Sequence, residues 1–148
     1  MSGDTFWAEW QRPLEDRAQI VFDEAITPQT TGTHCDIADA IMQAKGLKPI
    51  GFNWEMLDAF GGPDDTRSAL GVIADALRAD MEFPQQEWLG DHGAAACARD
   101  FVGLFEGPKT VLSNRLEGLW NPVSDARIEW CFVGFDDVRA AVLLLMRE

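Results

Sequence analysis

Two short clusters combine residue types that could perform nucleophilic or acid–base chemistry. His34-Cys35-Asp36 places an imidazole, a thiol and a carboxylate side by side, and His92 follows Asp91. An enzyme with a cysteine nucleophile needs its thiol and imidazole to meet in space, which adjacency in the sequence does not ensure. A catalytic role therefore requires His92 to lie within hydrogen-bond reach of Cys35 or His34 in a pocket.

The same residues also fit structural roles without catalysis. If Asp36 is the N-cap of a helix, Cys35 stands beside the helix N-terminus, where a thiol pKa is lowered, but a buried cysteine at a loop–helix junction fits as well. Asp91 beside His92 is typical of a capped turn, and neither histidine stands in an HxxxH or HxxE pattern. We therefore predict no metal and no cofactor and assign no catalytic residue, so that the protein is more consistent with a non-enzyme. His34, Cys35 and His92 are the alternative catalytic set.

Two pairs of adjacent acids, Asp64-Asp65 and Asp136-Asp137, could supply the two carboxylates of a hydrolytic site. Such chemistry requires the two carboxylates to converge in a cleft. Each pair also stands where a helix is predicted to begin, and the helix dipole favours acids there. The pairs therefore indicate helix starts rather than an active site.

Charge is the most distinctive global property of the chain. It has 25 acidic and 12 basic residues, and the formal net charge is -13. Nucleic acid and anionic membrane surfaces are bound through basic patches, so neither is an expected partner. An acidic field either keeps a protein soluble through self-repulsion or steers a basic protein towards it. The expected partner, if there is one besides a second copy of this chain, is a basic protein.

Length and cysteine content narrow the class of protein. A chain of 148 residues is expected to form a single globular domain, 1–148, and to bury a core without disulfides. Cys35, Cys97 and Cys131 are odd in number and form no CxxC pair, which favours a reducing compartment. The amino-terminal residues lack the features of a secretory signal, and no apolar run is long enough to cross a membrane. We expect a cytoplasmic protein.

The apolar periodicity predicts a mainly α protein, a compact multi-helical single domain. Apolar residues recur at the i, i+3, i+4, i+7 spacing of an amphipathic helix in most of the chain. Pairs of Gly and Pro, such as Gly107-Pro108, separate these segments. The predicted helices span 13–26, 37–45, 54–60, 64–81, 93–106, 108–120 and 137–147.

The carboxy-terminal segment, 124–148, is the most apolar part of the chain, and the rest is expected to pack against it. Asp136 resembles an N-cap, and the Ala and Leu content of 137–147 favours a helix. Residues 128–135 fit either one face of a helix or a buried strand. A strand there needs a partner, and 18–26 is the other strand candidate. The alternative fold is therefore α+β, with a small sheet that uses 18–26 and 128–135.

One segment carries a local family resemblance. Residues Gly51 to Leu57, GFNWEML, resemble the G-x-N-W-[DE]-x-L stretch of barstar-like ribonuclease inhibitors, and the helix predicted over 37–45 precedes it at a similar distance. In that family, acids on the helix that begins at the Asn block the basic active site of a nuclease. The resemblance covers about a tenth of the chain and implies a helix from Asn53 and a contact role for Glu55.

The charge, the tryptophan content and the lack of a catalytic constellation favour an acidic soluble protein that binds another protein, as inhibitors and immunity proteins do. The expected contact residues are Trp54, Glu55 and Asp58. One alternative is the small Cys/His-dependent enzyme described above. Another is a helical interaction domain that forms homo-oligomers. Its contact surface would be three large aromatic residues near the amino terminus, Phe6, Trp7 and Trp10.

Overall fold

The computed structural model describes residues 1–116 and 118–148, and the chain folds as an α+β protein. Helix accounts for 34% of the residues and strand for 27%, so the predicted mainly α class is wrong. The helices are α1 (Gly3–Glu15), α2 (His34–Ala44), α3 (Ala69–Arg78) and α4 (Gly90–Val102), with a 3₁₀ turn at Gly51–Asn53. The strands are β1 (Gln19–Ile26), β2 (Glu55–Leu57), β3 (Thr110–Ser113), β4 (Arg115–Leu116), β5 (Leu119–Trp120), β6 (Ile128–Phe135) and β7 (Arg139–Arg147).

Five of the strands form one antiparallel sheet in the order β1-β7-β6-β3-β2, and β4 pairs with β5 in a separate ribbon. β1 pairs with β7 from Gln19 opposite Met146 to Ile26 opposite Arg139. On its other side, β7 pairs with the whole of β6. β6 and β7 therefore lie in the interior of the sheet, where a strand has neighbours on both sides.

Helices cover both faces of this sheet. Side chains alternate between the faces along a strand, so Leu143 of β7 packs in one core and Leu144 in the other. Helices α1, α3 and α4 cover the first face, where Phe6 and Phe101 are fully buried. Helix α2 covers the second face with Met42. The sheet thus separates α2 from the other three helices.

The helix predicted over 137–147 is wrong because this segment is strand β7. Its central run, 140–145, is buried at every position, since both faces of the sheet are covered. Such a strand shows no period-two alternation, so periodicity alone does not distinguish it from a buried helix. Asp136, the expected N-cap, instead closes the turn between β6 and β7. Its Oδ1 accepts hydrogen bonds from the N–H groups of Val138 and Arg139, at 2.8 and 2.7 Å.

The helix predicted over 13–26 is also wrong, because α1 occupies Gly3–Glu15 and the chain then continues as β1. Pro13 lies in the last turn of α1 instead of starting a helix. The alternative fold had strands over 18–26 and 128–135, and these are present as β1 (Gln19–Ile26) and β6 (Ile128–Phe135). The structure places β7 between them, so their sheet has more strands than the small sheet of the alternative fold.

The helix predicted over 108–120 is replaced by three short strands. Residues 110–113 form β3, which pairs with both β2 and β6, and β4 and β5 follow. Position 117 of the predicted helix lies outside the described residues. Asn114, between β3 and β4, is fully buried and accepts a hydrogen bond of 2.9 Å from the Cys131 N–H through its side chain. The chain can bend between β3 and β4 at this buried position because the Asn114 side chain satisfies the Cys131 N–H, which the bend leaves free.

The helix predicted over 54–60, which the family resemblance also implied, is wrong because this segment contains the edge strand β2. Asp39 of α2 fixes the approach to that strand. Its carboxylate accepts hydrogen bonds from the N–H groups of Ile50 and Gly51, both at 2.9 Å. It also accepts one from the Trp54 indole, at 2.9 Å. The contact between Asp39 of α2 and residues 50–54 therefore decides the conformation of this segment.

The helices predicted over 37–45, 64–81 and 93–106 are present as α2, α3 and α4, with different bounds. Helix α2 begins at His34 because Thr33 is its N-cap, and Asp36 completes the capping box by accepting from the Thr33 N–H at 2.8 Å. Helix α3 begins only at Ala69, after the Ser68 cap. The amphipathic pattern located these three helices, while the caps set their first residues.

Candidate functional site

The structure does not bring the alternative catalytic residues together. Cys35 is buried on α2 and packs against the second face of the sheet, with the partly buried His34 next to it. His92 is exposed on α4, which covers the first face. The sheet therefore lies between His92 and the other two residues. Among the described residues, the geometry that a Cys–His pair requires is absent between these groups.

The cysteine thiols are in environments that disfavour the thiolate. Burial is the largest influence on Cys35 and raises its pKa, a hydrogen bond with the Trp54 backbone lowers the pKa by less, and the Asp39 carboxylate raises it. The position near the helix N-terminus therefore does not lower the thiol pKa, and of the two interpretations of Cys35 the buried cysteine at a loop–helix junction is the one that fits. Burial also raises the pKa of Cys97 and Cys131, which lie inside the two cores.

We expect none of the three thiols to react readily in the native protein, because only the thiolate is nucleophilic and the sulfurs are buried. With a chromogenic disulfide at mildly alkaline pH, native labelling should be roughly a hundredfold or more slower than that of a free thiol, since it waits for local opening. In denaturant, all three thiols should react as fast as a free thiol. A fast native reaction at Cys35 would contradict this expectation and reopen the enzyme hypothesis.

The predicted contact residues lie on one segment, but they do not share one environment. Trp54 is 2% exposed, packs in the core beneath α2 and donates its indole N–H to Asp39. Glu55 is partly buried on β2, and Asp58 is exposed just after that strand. Trp54 therefore positions the segment, whereas Asp58 meets solvent and Glu55 lines the groove described below.

Residues 51–66, which we call the acidic arm, combine exposed apolar and acidic side chains. Phe52 and Phe60 are 82% and 73% exposed, and Met56 is also exposed. The arm is held in place on both sides of Asp58, whose N–H donates to the Arg67 carbonyl and whose carbonyl accepts from the Ala69 N–H. The large apolar groups are thus displayed on a fixed backbone. The acids of the arm are Glu55, Asp58, Asp64 and Asp65.

A groove of about 580 Å³ lies between the acidic arm, α3 and the start of the β4–β5 ribbon. Its volume is within the range of small-ligand sites, about 300–1,000 Å³. A neighbouring cavity of about 340 Å³ shares part of its wall, including Arg115 and Trp130. The charged residues that line the groove are four acids and two arginines, Glu55, Asp64, Asp65, Asp75, Arg78 and Arg115.

The two arginines of the groove are held in different ways. Arg78 is bound by two carboxylates, Asp75 at 2.9 Å and Asp91 at 2.7 Å. The guanidinium of Arg115 stacks on the Trp130 ring, 3.9 Å from its centroid, and donates to a backbone carbonyl of β6 at 3.1 Å. Its Nε is buried and has no hydrogen-bond partner in the described part of the chain. Burial lowers the pKa of Arg115, although the nearby Glu129 charge raises it.

The platform beneath Arg115 is a row of fixed side chains. Trp130 stacks on Phe132, with ring centroids 5.5 Å apart. Its indole N–H donates to the buried Ser113 hydroxyl at 2.9 Å, and that hydroxyl also accepts from the Arg115 N–H at 3.2 Å. The aromatic ring and the guanidinium are therefore held in fixed orientations.

A buried carboxylate anchors the loop beside this platform. Glu129 of β6 is fully buried, and its Oε2 accepts from the Asn114 side chain and the Val123 N–H, both at 2.9 Å. Its Oε1 accepts from the N–H and the hydroxyl of Ser124, at 2.9 and 2.5 Å. Glu129 thereby joins the bend at Asn114 to the loop that precedes β6. The side chain of Asn114 also donates to the Asn121 carbonyl, which holds the end of the ribbon.

The described residues contain no group of three or more His, Cys, Asp or Glu side chains placed to hold a metal ion. Within the same part of the chain, none of the helices has the length and apolar character needed to cross a bilayer. Comparisons with protein families, curated proteins and solved structures find no match.

Arg115 and Trp130 were not predicted as site residues, because the helix predicted over 108–120 places Arg115 among recurring apolar residues. An arginine among the inward positions of a predicted helix was the available signal, since arginines are rarely buried without a partner. The contact with Trp130 joins two strands that are distant in the chain. The pairing of β3 with β6 was therefore needed to see it.

Proposed function

We propose that this protein is a non-enzymatic binding module that recognises a basic protein through its acidic arm. The observation that carries this proposal is the exposure of Phe52, Met56 and Phe60 within one segment that also carries four acids. Large aromatic side chains supply much of the energy of protein interfaces, and charges around them raise the association rate and select the partner. The net charge of -13 adds a long-range field of the same sign.

The fixed backbone of the arm supports the same proposal. Asp39 holds residues 50–54, β2 pairs with β3, and Asp58 is bonded through both its N–H and its carbonyl. Ordering a loop on binding costs free energy, so a segment that is already ordered binds more tightly for the same contacts. In this proposal, Trp54 orients the arm, Phe52 and Phe60 make the central contacts, and Asp58 steers the partner.

The aromatic residues of the amino terminus offer less to a partner. Phe6 is fully buried and Trp10 is nearly so, while the partly buried Trp7 stacks on Phe22 at 5.7 Å between ring centroids. Trp10 also donates its indole N–H to Asp100 at 2.9 Å. These contacts place the aromatic residues in the core of the first face, where they join α1 to β1 and α4.

The test is affinity capture from native cell extract on the immobilised chain, at low and at high salt. Wild type should retain a basic protein in stoichiometric amount at low salt and release it at high salt. The double variant Phe52→Ser/Phe60→Ser should lose at least about tenfold of that affinity, as expected when two interface anchors are truncated.

The matched control is Ile26→Ser/Val138→Ser. Ile26 and Val138 are 83% and 72% exposed, like the two phenylalanines, but they lie at the β1–β7 end of the sheet, on the opposite edge from β2. This variant should retain the partner. Equal capture by both double variants, or no partner at either salt concentration, would refute the proposal.

A further inference from the structure

The groove is lined by both carboxylates and guanidinium groups, so a ligand with a single charge is not complementary to it. Arg115 lines it, its guanidinium stacks on Trp130, and its buried Nε has no hydrogen-bond partner among the described residues. Four acids also line the groove, Glu55, Asp64, Asp65 and Asp75. A simple anion that approaches Arg115 is repelled by these acids, and a simple cation drawn to the acids meets the arginine.

The contrast with Arg78 shows why Arg115 is the distinctive group. Arg78 lines the same groove but is neutralised by Asp75 and Asp91. The guanidinium of Arg115 is held by the Trp130 ring and a backbone carbonyl, so its N–H donors are already oriented. A planar, oriented guanidinium suits recognition of a carboxylate, and the stacked ring removes the entropy cost of holding it.

We propose that the groove binds a ligand that carries a carboxylate and, a few bonds away, a guanidinium or ammonium group. The carboxylate pairs with Arg115, and the cationic group lies against Asp64 and Asp65 of the acidic arm, since Asp75 is already paired with Arg78. The volume of about 580 Å³ accommodates a ligand of the size of arginine. Two sources share this chemistry, a free basic amino acid and the carboxyl terminus of a chain that ends in Arg or Lys.

This inference does not depend on the binding of a basic protein by the acidic arm. The protein contact depends on Phe52 and Phe60, which do not line the groove, and the ligand's carboxylate depends on Arg115. The two proposals share acids of the arm, but their tests change Phe52 and Phe60 in one case and Arg115 in the other. Failure of the capture experiment therefore leaves this proposal standing, and failure of the titration below leaves the protein-binding proposal standing.

The test is a titration of the ¹⁵N-labelled full chain, followed by NMR at the Trp130 indole N–H. L-arginine should give a saturable shift at millimolar concentration. L-arginine methyl ester lacks the carboxylate and propionate lacks the cation, so each should bind at least about tenfold more weakly, the factor expected for loss of one charged pair. An ester that binds as well as the free acid would overturn the proposal, as would the absence of a saturable shift with L-arginine.

Two acetylated tripeptides that end in arginine distinguish the sources. If the peptide with a free carboxyl terminus binds and its amide does not, a chain terminus fits the groove. If neither peptide binds while L-arginine does, the ligand is a free amino acid. Binding of the amide as tight as that of the free acid would overturn the role of Arg115.

Arg115→Gln should abolish the L-arginine shift. The control is Arg127→Gln, because Arg127 pairs with Glu82 at 3.0 and 2.9 Å and is not among the residues that line the groove. Unchanged binding in Arg115→Gln would refute the proposal. If Arg115→Gln does not fold, the comparison of acid and ester on the wild-type chain still decides the outcome.

Discussion

Glu129→Ala should be among the most destabilising single substitutions in this protein, lowering the free energy of unfolding by about 3–5 kcal/mol. The carboxylate is fully buried and accepts four hydrogen bonds, from Asn114, from Val123 and twice from Ser124. Alanine leaves the Asn114 and Val123 donors buried without this acceptor and the Ser124 donors partly buried without it, and each unsatisfied donor costs free energy. Denaturant unfolding followed by circular dichroism measures the change, and the melting temperature should fall by roughly 6–20 °C.

Two further variants test the hydrogen-bond explanation. Glu129→Gln keeps the shape of the side chain but puts an N–H₂ group against donors, so its loss of stability should lie between wild type and Glu129→Ala. Glu106→Ala removes an exposed carboxylate and should change the free energy of unfolding by less than about 0.5 kcal/mol. A Glu129→Ala protein within about 1 kcal/mol of wild type would contradict the assigned role.

Asp80→Asn should also lower the free energy of unfolding by about 3–5 kcal/mol, the usual cost of removing one partner from a buried ion pair. The Asp80 side chain is 1% exposed, and its Oδ2 lies 2.7 Å from Arg147 and 3.3 Å from Arg17. Its Oδ1 accepts from the N–H groups of Glu82 and Phe83, at 2.8 and 3.0 Å. Asparagine leaves two neighbouring guanidinium groups without their shared anion. Urea unfolding measures the loss.

The stability contributed by Asp80 depends on pH. Burial is the largest influence and alone would raise its pKa, but the two backbone N–H groups and the two arginines together hold the pKa below the ordinary value. Below the unfolded pKa of about 3.9, the unfolded chain binds the proton more readily than the folded chain. The contribution is therefore complete above that pH and is lost as the pH falls through the lower, folded pKa.

The difference in unfolding free energy between wild type and Asp80→Asn should therefore be constant near neutral pH and shrink in acid. Asp137→Asn is the control, since Asp137 is exposed, and near neutral pH its free energy of unfolding should stay within about 0.5 kcal/mol of wild type. A difference between wild type and Asp80→Asn that stays constant through the acid range would show that the charge of Asp80 does not account for its effect.

Local structure could be predicted from the sequence where it depends on residues that are close together in the chain. The spacing of apolar residues located α2, α3 and α4, because an amphipathic helix forms its hydrogen bonds within itself. Gly134 interrupts the apolar run of β6. The structure adds the reason, since a Cβ at this position would run into the Phe105 ring.

Buried charges were the weakest part of the prediction. Asp80 lies within the helix predicted over 64–81, and no local pattern marks it as buried, yet it is buried between Arg17 and Arg147. Its partners are 63 and 67 positions away in the chain. Glu129 is likewise one acid in an apolar strand, and nothing nearby in the sequence specifies its acceptor role. A charge is buried only when the fold supplies partners, so local patterns do not report it.

The acidic composition, the positions of three helices and the lack of a metal-binding motif were determined by the sequence alone. The tertiary structure decided that 137–147 is a strand, because helices cover both faces of the sheet and make a central strand apolar at every position. It also decided that Trp54 supports the acidic arm from inside and that Arg115 stacks on Trp130. Strand pairing and burial join residues that are far apart in the chain, and neither is encoded in local spacing.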